Sequence, residues 1–291
     1  MSPQYFALRS RLGLQHAPVG STELNIGVED GSRTILTPEF LQKLPGTVTE
    51  YTFPIPQLTS KYWELVREHT FAASHLIASH LKTTESQVVI GGDHSVTFAS
   101  LHALSKRIDL RNVAYIQIDS HPDLNTIKSS PSGNFHGMYV RAAVAEIGVA
   151  EVDSCFLQKL PPQNIWYFGN LSFDPNPEER NFLQTHKIPC ISVMDWRKNY
   201  TTIQTQLRAF LQNYTHLHIS FDIDCMDKTI AAATGIPCPD GFLMHDIELL
   251  LTTLISNELP ISFDLVEVNP AKTGAQQTIK TAQEILEIVQ R

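Results

Sequence analysis

The stretch Asn112-Val113-Ala114-Tyr115-Ile116-Gln117-Ile118 runs straight into Asp119-Ser120-His121-Pro122-Asp123. Its first part reads as a buried strand, and its second part changes character abruptly. In an extended backbone, residues i, i+2 and i+4 share a face, so an extended reading points Asp119, His121 and Asp123 at one spot beyond the strand. Burying two carboxylates with an imidazole is costly unless a cation balances them. Two more elements repeat the arrangement. Leu217-His218-Ile219 leads into Ser220-Phe221-Asp222-Ile223-Asp224, and Gln87-Val88-Val89-Ile90 leads into Gly91-Gly92-Asp93-His94-Ser95. Three strand ends that each deliver hard ligands read as a metal centre.

Outward from these motifs, strand-like runs recur at 24–28, 87–90, 112–118, 164–168, 189–193, 217–223 and 261–268. Most are continuously apolar and rich in β-branched residues, the pattern of strands covered on both faces. Helical spacing fills 62–81, 201–214, 245–256 and 278–290. Alternating strands and helices predict an α/β fold, a three-layer α/β/α sandwich around a central, mostly parallel sheet. In such folds ligands bind at the carboxyl ends of the strands, where all three motifs and Glu267 fall. With no repeat, low-complexity tract or convincing linker, residues 1–291 read as one domain.

The formal charge of −8 comes without a basic cluster, which argues against nucleic acid and suits a small cationic substrate. Cys155, Cys190, Cys225 and Cys238 show no C-x-x-C spacing and read as reduced thiols, with Cys225 a bystander between acidic residues. Met1-Ser2-Pro3-Gln4-Tyr5-Phe6 lacks the charged and apolar segments of a leader, and no run is long enough to span a membrane. The expectation is a cytoplasmic protein with no membrane partner.

The candidate ligands are His94, Asp119, His121, Asp123, Asp222 and Asp224. Four ionised aspartates are balanced by two divalent cations, whereas one would leave a surplus of negative charge; a pair of ions about 3.5–4 Å apart is the economical reading. Oxygen-dominated ligands without thiolate favour Mn²⁺, Mg²⁺ or a related ion over structural zinc. Asp93 reads as a group that serves the turn or a second layer, orienting His94.

Gly91-Gly92-Asp93-His94-Ser95, Asp119-Ser120-His121-Pro122-Asp123 and Ser220-Phe221-Asp222-Ile223-Asp224-Cys225-Met226-Asp227 together resemble the three signatures of the ureohydrolases, which include arginase, agmatinase and formiminoglutamase. The resemblance extends from Gly27-Val28-Glu29-Asp30-Gly31 to Glu267-Val268-Asn269-Pro270. It implies two Mn²⁺ ions per subunit bridged by Asp119 and Asp222, with His94 and Asp123 completing one sphere and His121 and Asp224 the other. It also implies a bridging hydroxide that attacks the guanidinium carbon, and a homo-trimer or hexamer. The catalytic set is His136, Glu267 and Asp123. His136 suits proton delivery to the leaving amine because imidazole titrates near neutral pH, and Glu267 suits paired hydrogen bonds to a guanidinium.

The segment from Asn125 through Ser132-Gly133-Asn134-Phe135-His136 is most similar to arginase. There the positions of Asn125, Ser132 and Asn134 hold the substrate's α-carboxylate, and Asp174 resembles the acid that meets the α-amino group. L-Arginine is therefore the expected guanidino substrate, giving L-ornithine and urea. Agmatinase, formiminoglutamase and a catalytically weak metal-binding regulator are the alternatives; a mononuclear zinc hydrolase of the deacetylase type fits the extra carboxylate pair less well. Lys228 and Ala232 stand where the third signature usually has prolines, and Pro177 where arginases often have another acid. Ile236 stands where arginases commonly have a threonine supporting the guanidinium-binding glutamate, so Glu267 is expected to be less firmly held.

Overall fold

The structure, a computed structural model, describes residues 3–13, 25–55, 61–81, 86–171 and 176–291. Its strands are β1 (Gln4–Arg9), β2 (Thr47–Thr52), β3 (Gln87–Ile90), β4 (Val113–Ile118), β5 (Ile165–Phe168), β6 (Cys190–Ile191), β7 (His216–Asp222) and β8 (Ile261–Val266). They form one sheet in the order β2-β1-β3-β8-β7-β4-β5-β6, with every pairing parallel. The expected three-layer α/β architecture is what the chain adopts.

Residues of β3, β4, β5 and β7 are buried throughout, which explains why apolar residues dominate β3, β4 and β5 and why the polar residues of β7 alternate with Leu217, Ile219 and Phe221. Alternate residues of β4 feed two cores. Ala114, Ile116 and Ile118 pack with Trp196, Leu207, Leu250, Leu254 and Ile285, from the helices Val193–Leu211, Met244–Ile255 and Ala275–Val289. Val113 and Tyr115 pack on the other side with Val66, Phe98, Leu101 and Tyr139, the first three from the helices Tyr62–His80 and Ser95–Ser105. Each large side chain buried this way contributes roughly 1.5–3 kcal/mol. The sheet is thereby a rigid floor whose carboxyl edge carries the ligand motifs.

Several expectations are corrected. The run 24–28 is no strand over its described part: Gly27 takes φ 100° and Val28 opens a 3₁₀ turn, so an apolar run is bent by its glycine. The strand expected at 189–193 shrinks to Cys190–Ile191, because Ser192 caps a helix by accepting the Asp195 N–H. That helix starts at Val193 rather than Thr201, with a kink at Asn199. Strands β1 and β2 were not expected. The residues of β2 are mostly exposed, and its polar sequence Thr-Val-Thr-Glu-Tyr-Thr suits a sheet edge rather than a core strand.

Candidate metal centre

Strand β4 ends at Ile118, and one further ladder bond runs from Asp119 N–H to the Phe168 carbonyl, 2.9 Å. The chain then turns. His121 N–H donates to Asp119 Oδ1 at 2.7 Å, and Asp123 adopts φ 51°. The extended reading of this motif thus fails beyond Asp119; a carboxylate-accepted turn, not strand alternation, gathers the three side chains. The second motif does the same, with Asp222 Oδ1 accepting Asp224 N–H at 2.8 Å to open a 3₁₀ turn. Gly169, at φ 148°, lets β5's end pass close by: a Cβ there would lie 1.9 Å from the Asp119 carbonyl oxygen.

His94 Nδ1 lies 3.2 Å from Asp119 Oδ2, 3.1 Å from Asp123 Oδ2 and 3.1 Å from Asp222 Oδ2. His121 Nδ1 lies 2.8 Å from Asp224 Oδ2 and 3.7 Å from Asp119 Oδ1. The ring of His94 is fixed from behind, because Nε2 meets Ser220 Oγ at 2.8 Å and Tyr139 Oη at 2.9 Å. Gln117 Nε2 donates to Asp119 Oδ2 at 2.7 Å. Yet His94 Nδ1 makes no well-aligned hydrogen bond with any of the carboxylates around it. Three carboxylate oxygens crowded on one such nitrogen are the environment a shared divalent ion satisfies. Two groups have ligand atoms mutually within 4.8 Å: His94 with Asp119 and Asp222, and His121 with Asp119 and Asp224. Asp119 belongs to both, so the residues fit two ions held side by side.

The electrostatics agree. Burial pushes Asp123 up to about 7, with the Asp119 charge adding to the rise. Burial also raises Asp224, and lifts Asp222 well above the carboxylate range with help from Asp224 and Asp119. Burial alone would lower His94 and His121, but the surrounding aspartates outweigh it and raise both well above the usual imidazole value. Asp119 goes the other way: His121 and His94 overcome burial and lower it. A site this rich in carboxylate takes up protons unless cations replace them.

Glu267 follows β8 at φ 67°, a left-handed conformation that costs a non-glycine residue about 1–3 kcal/mol. Its N–H donates to the Gly92 carbonyl at 2.8 Å, its Oε1 accepts His94 N–H at 2.8 Å, and its Oε2 accepts Asn25 Nδ2–H at 2.7 Å. Burial pushes it up to about 7, with His136 opposing and Asp93 adding. His136 sits in the 3₁₀ turn Phe135–Met138 with Nδ1 3.8 Å from Asp93 Oδ2. Burial would lower His136, but Asp93 and Glu267 outweigh it and raise it. Asp93 is not turned to the His94 ring as expected. It accepts Leu12 N–H at 2.8 Å, Gly13 N–H at 2.6 Å and the Ser95 hydroxyl, tying the first described segment against His136.

His94, His121, Asp123, His136, Asp222, Asp224 and Glu267 open on one cleft, lined also by Asn125, Ser132, Asn176, Glu179 and Ile236. Asn134 is buried and is not among the lining residues; its N–H donates to Ser132 Oγ at 3.2 Å. Asp174 lies outside the described residues. Where Pro177 left an acid missing, Glu179 faces the cleft, its carboxylate accepting Leu124 N–H at 3.0 Å and Asn176 N–H at 3.2 Å. Sequence reasoning missed Glu179 and Asn25, and also Gln117 and Ser220. The last two had a signal: each stands two residues before an aspartate ligand candidate on its own strand.

The pattern of the Arginase family matches residues 46–289. The arginase of Emericella nidulans is 29% identical over 287 residues, covering 93% of this chain and 86% of that one. The arginase of Staphylococcus aureus is 31% identical over 209 residues, covering 71% and 68%. Among solved structures, Bacillus subtilis arginase superposes with a TM-score of 0.84 at 26% identity, covering 99% of this chain and 98% of its own. Entamoeba histolytica arginase, solved with L-ornithine, shares the fold with a TM-score of 0.85 at 24% identity, covering 99% of both chains.

Proposed function

The chain belongs to the arginase family, and from that premise we propose that it hydrolyses a guanidino compound, L-arginine before agmatine or formiminoglutamate, using two Mn²⁺ ions. The observation that carries this reading is that Glu267 lines one cleft with His94, His121, Asp222 and Asp224, the residues that form two ligand groups with the buried Asp119. When bound, such ions supply a nucleophilic water at neutral pH. The rest falls to the protein. Glu267 binds and orients the guanidinium through paired hydrogen bonds, and its ionised form is favoured once that cation arrives. His136, with the Asp93 carboxylate beside it, delivers the proton that the departing amine requires. Asn125 and Ser132, with Asn134 beside them, offer neutral donors for an α-carboxylate. Glu179, together with Asp174, offers charge for an α-amino group. The same reading takes 1–291 as one domain and the assembly as a homo-trimer or hexamer.

The test is urea release from arginine and agmatine, and glutamate release from formiminoglutamate, by protein loaded with Mn²⁺ and assayed for metal content. Arginine is expected to be the best substrate. Turnover of agmatine with arginine inert moves the assignment to agmatinase, and metal-replete protein inert to all three defeats the enzymatic reading.

A further inference from the structure

We propose that Asn25 is a positioning residue for Glu267, and that it takes over the support that Ile236 does not give. This inference rests on the reading of Glu267 as the guanidinium-binding carboxylate. The amide of Asn25 is not free to choose its orientation. Ala271 N–H donates to Asn269 Oδ1 at 3.0 Å, which turns Asn269 Nδ2 toward Asn25 Oδ1 at 2.6 Å. Asn269 Nδ2 also meets the Ile26 carbonyl at 3.0 Å. With its oxygen so engaged, Asn25 presents Nδ2–H to Glu267 Oε2 at 2.7 Å. A backbone N–H can only donate, so the polarity of the whole relay is set from Ala271. Reversing either amide would put donor against donor or acceptor against acceptor in a buried setting.

The other carboxylate oxygen receives the His94 N–H. Each oxygen therefore has one fixed donor, and together they define the plane in which Glu267 meets a planar cation. Ile236 lines the same cleft with a side chain that cannot donate. Its neighbour Gly235 leaves room, since a Cβ there would stand 3.2 Å from Asn25 Nδ2 and 3.7 Å from Glu267 Oε2. Without Asn25, Oε2 loses its donor and only the His94 N–H at Oε1 still fixes the carboxylate.

Asn25→Leu, which keeps the bulk and removes the donor, and Asn25→Ala test this in the full chain loaded with Mn²⁺. Calorimetric binding of agmatine, and KM for L-arginine from steady-state kinetics, are measured beside metal content and Tm. Both variants are expected to weaken both ligands equally, about tenfold or more, because a hydrogen bond to a charged group is lost at the guanidinium end they share. KM is expected to rise more than kcat falls, with metal content and Tm near wild type. Unchanged affinity and KM in Asn25→Leu overturn the inference, as does a loss that merely follows lost metal or lost stability. Wild-type protein that binds neither ligand overturns instead the reading of Glu267 on which it rests.

Discussion

Two buried clusters of histidine and aspartate occupy the same sheet, and they are built on opposite principles. At mid-strand, His218 Nε2 meets Asp264 Oδ2 at 2.9 Å, Ser100 Oγ donates to Asp264 Oδ1 at 2.7 Å, and Tyr115 stacks on the imidazole. There one carboxylate has a separate donor for each oxygen. At the strand ends, three carboxylates face the single Nδ1 of His94. His94 and the three carboxylates are buried, as are His218 and Asp264, so burial does not tell the two places apart. The surplus of acceptors over donors does, and it marks the second as a place for cations.

The sharpest way to break this comparison is to remove the carboxylate common to both ligand groups. Asp119→Asn should empty the site of metal and lower turnover on the order of 10³-fold, read by metal analysis and rate on one preparation; His218→Leu should leave both near wild type. The mid-strand cluster should instead report in stability. Breaking a buried pair costs about 3–5 kcal/mol, so His218→Leu should lower Tm by roughly 6–20 °C at about 2–4 °C per kcal/mol. A His218 variant that folds but loses its ions would collapse the distinction.

A smaller effect concerns pH. Asp123 is raised to about 7 from its ordinary 3.8, and Asp222 and Asp224 are raised too. Between those values the folded, metal-free chain holds more protons than the unfolded one, so its stability falls as pH rises. The raised His94 and His121 act in the same direction, losing their contribution as pH climbs through their folded values. The lowered Asp93 and Asp119 act below this window. Ions displace the protons, so the rise in Tm on adding Mn²⁺ should be larger at pH 8 than at pH 5.5, by about 5 °C for protein near saturation. A rise independent of pH would show that the carboxylates are not the groups the ions neutralise.

The central strands were legible because β3, β4, β5 and β7 are covered on both faces, which favours apolar residues and admits polar ones only where a partner meets them, as at His218. The edge strand β2 was not, since its exposed residues carry no such constraint. The acidic motifs were legible from charge alone: so many carboxylates after buried strands need an explanation whatever the local geometry. The geometry itself was misread. Period-two alternation predicted convergence, but Asp123 at φ 51° and the Asp119 turn produce it. Asn25 stayed invisible because its meaning lies in a contact with Glu267, 242 residues away, which no local pattern encodes.

Strand β8 lies between β3, whose end carries His94, and β7, whose end carries Asp222. Those two strands are thus two sheet spacings apart, about 10 Å, only when β8 is in place between them. A growing chain has made every candidate ligand by Asp224, yet residues 261–266 are still to come. The pair His94 and Asp222 cannot take its final spacing until that late segment inserts. The group of His94, Asp119 and Asp222 therefore depends on β8, whereas Asp119, His121 and Asp224 follow β4 and β7, which pair directly with each other.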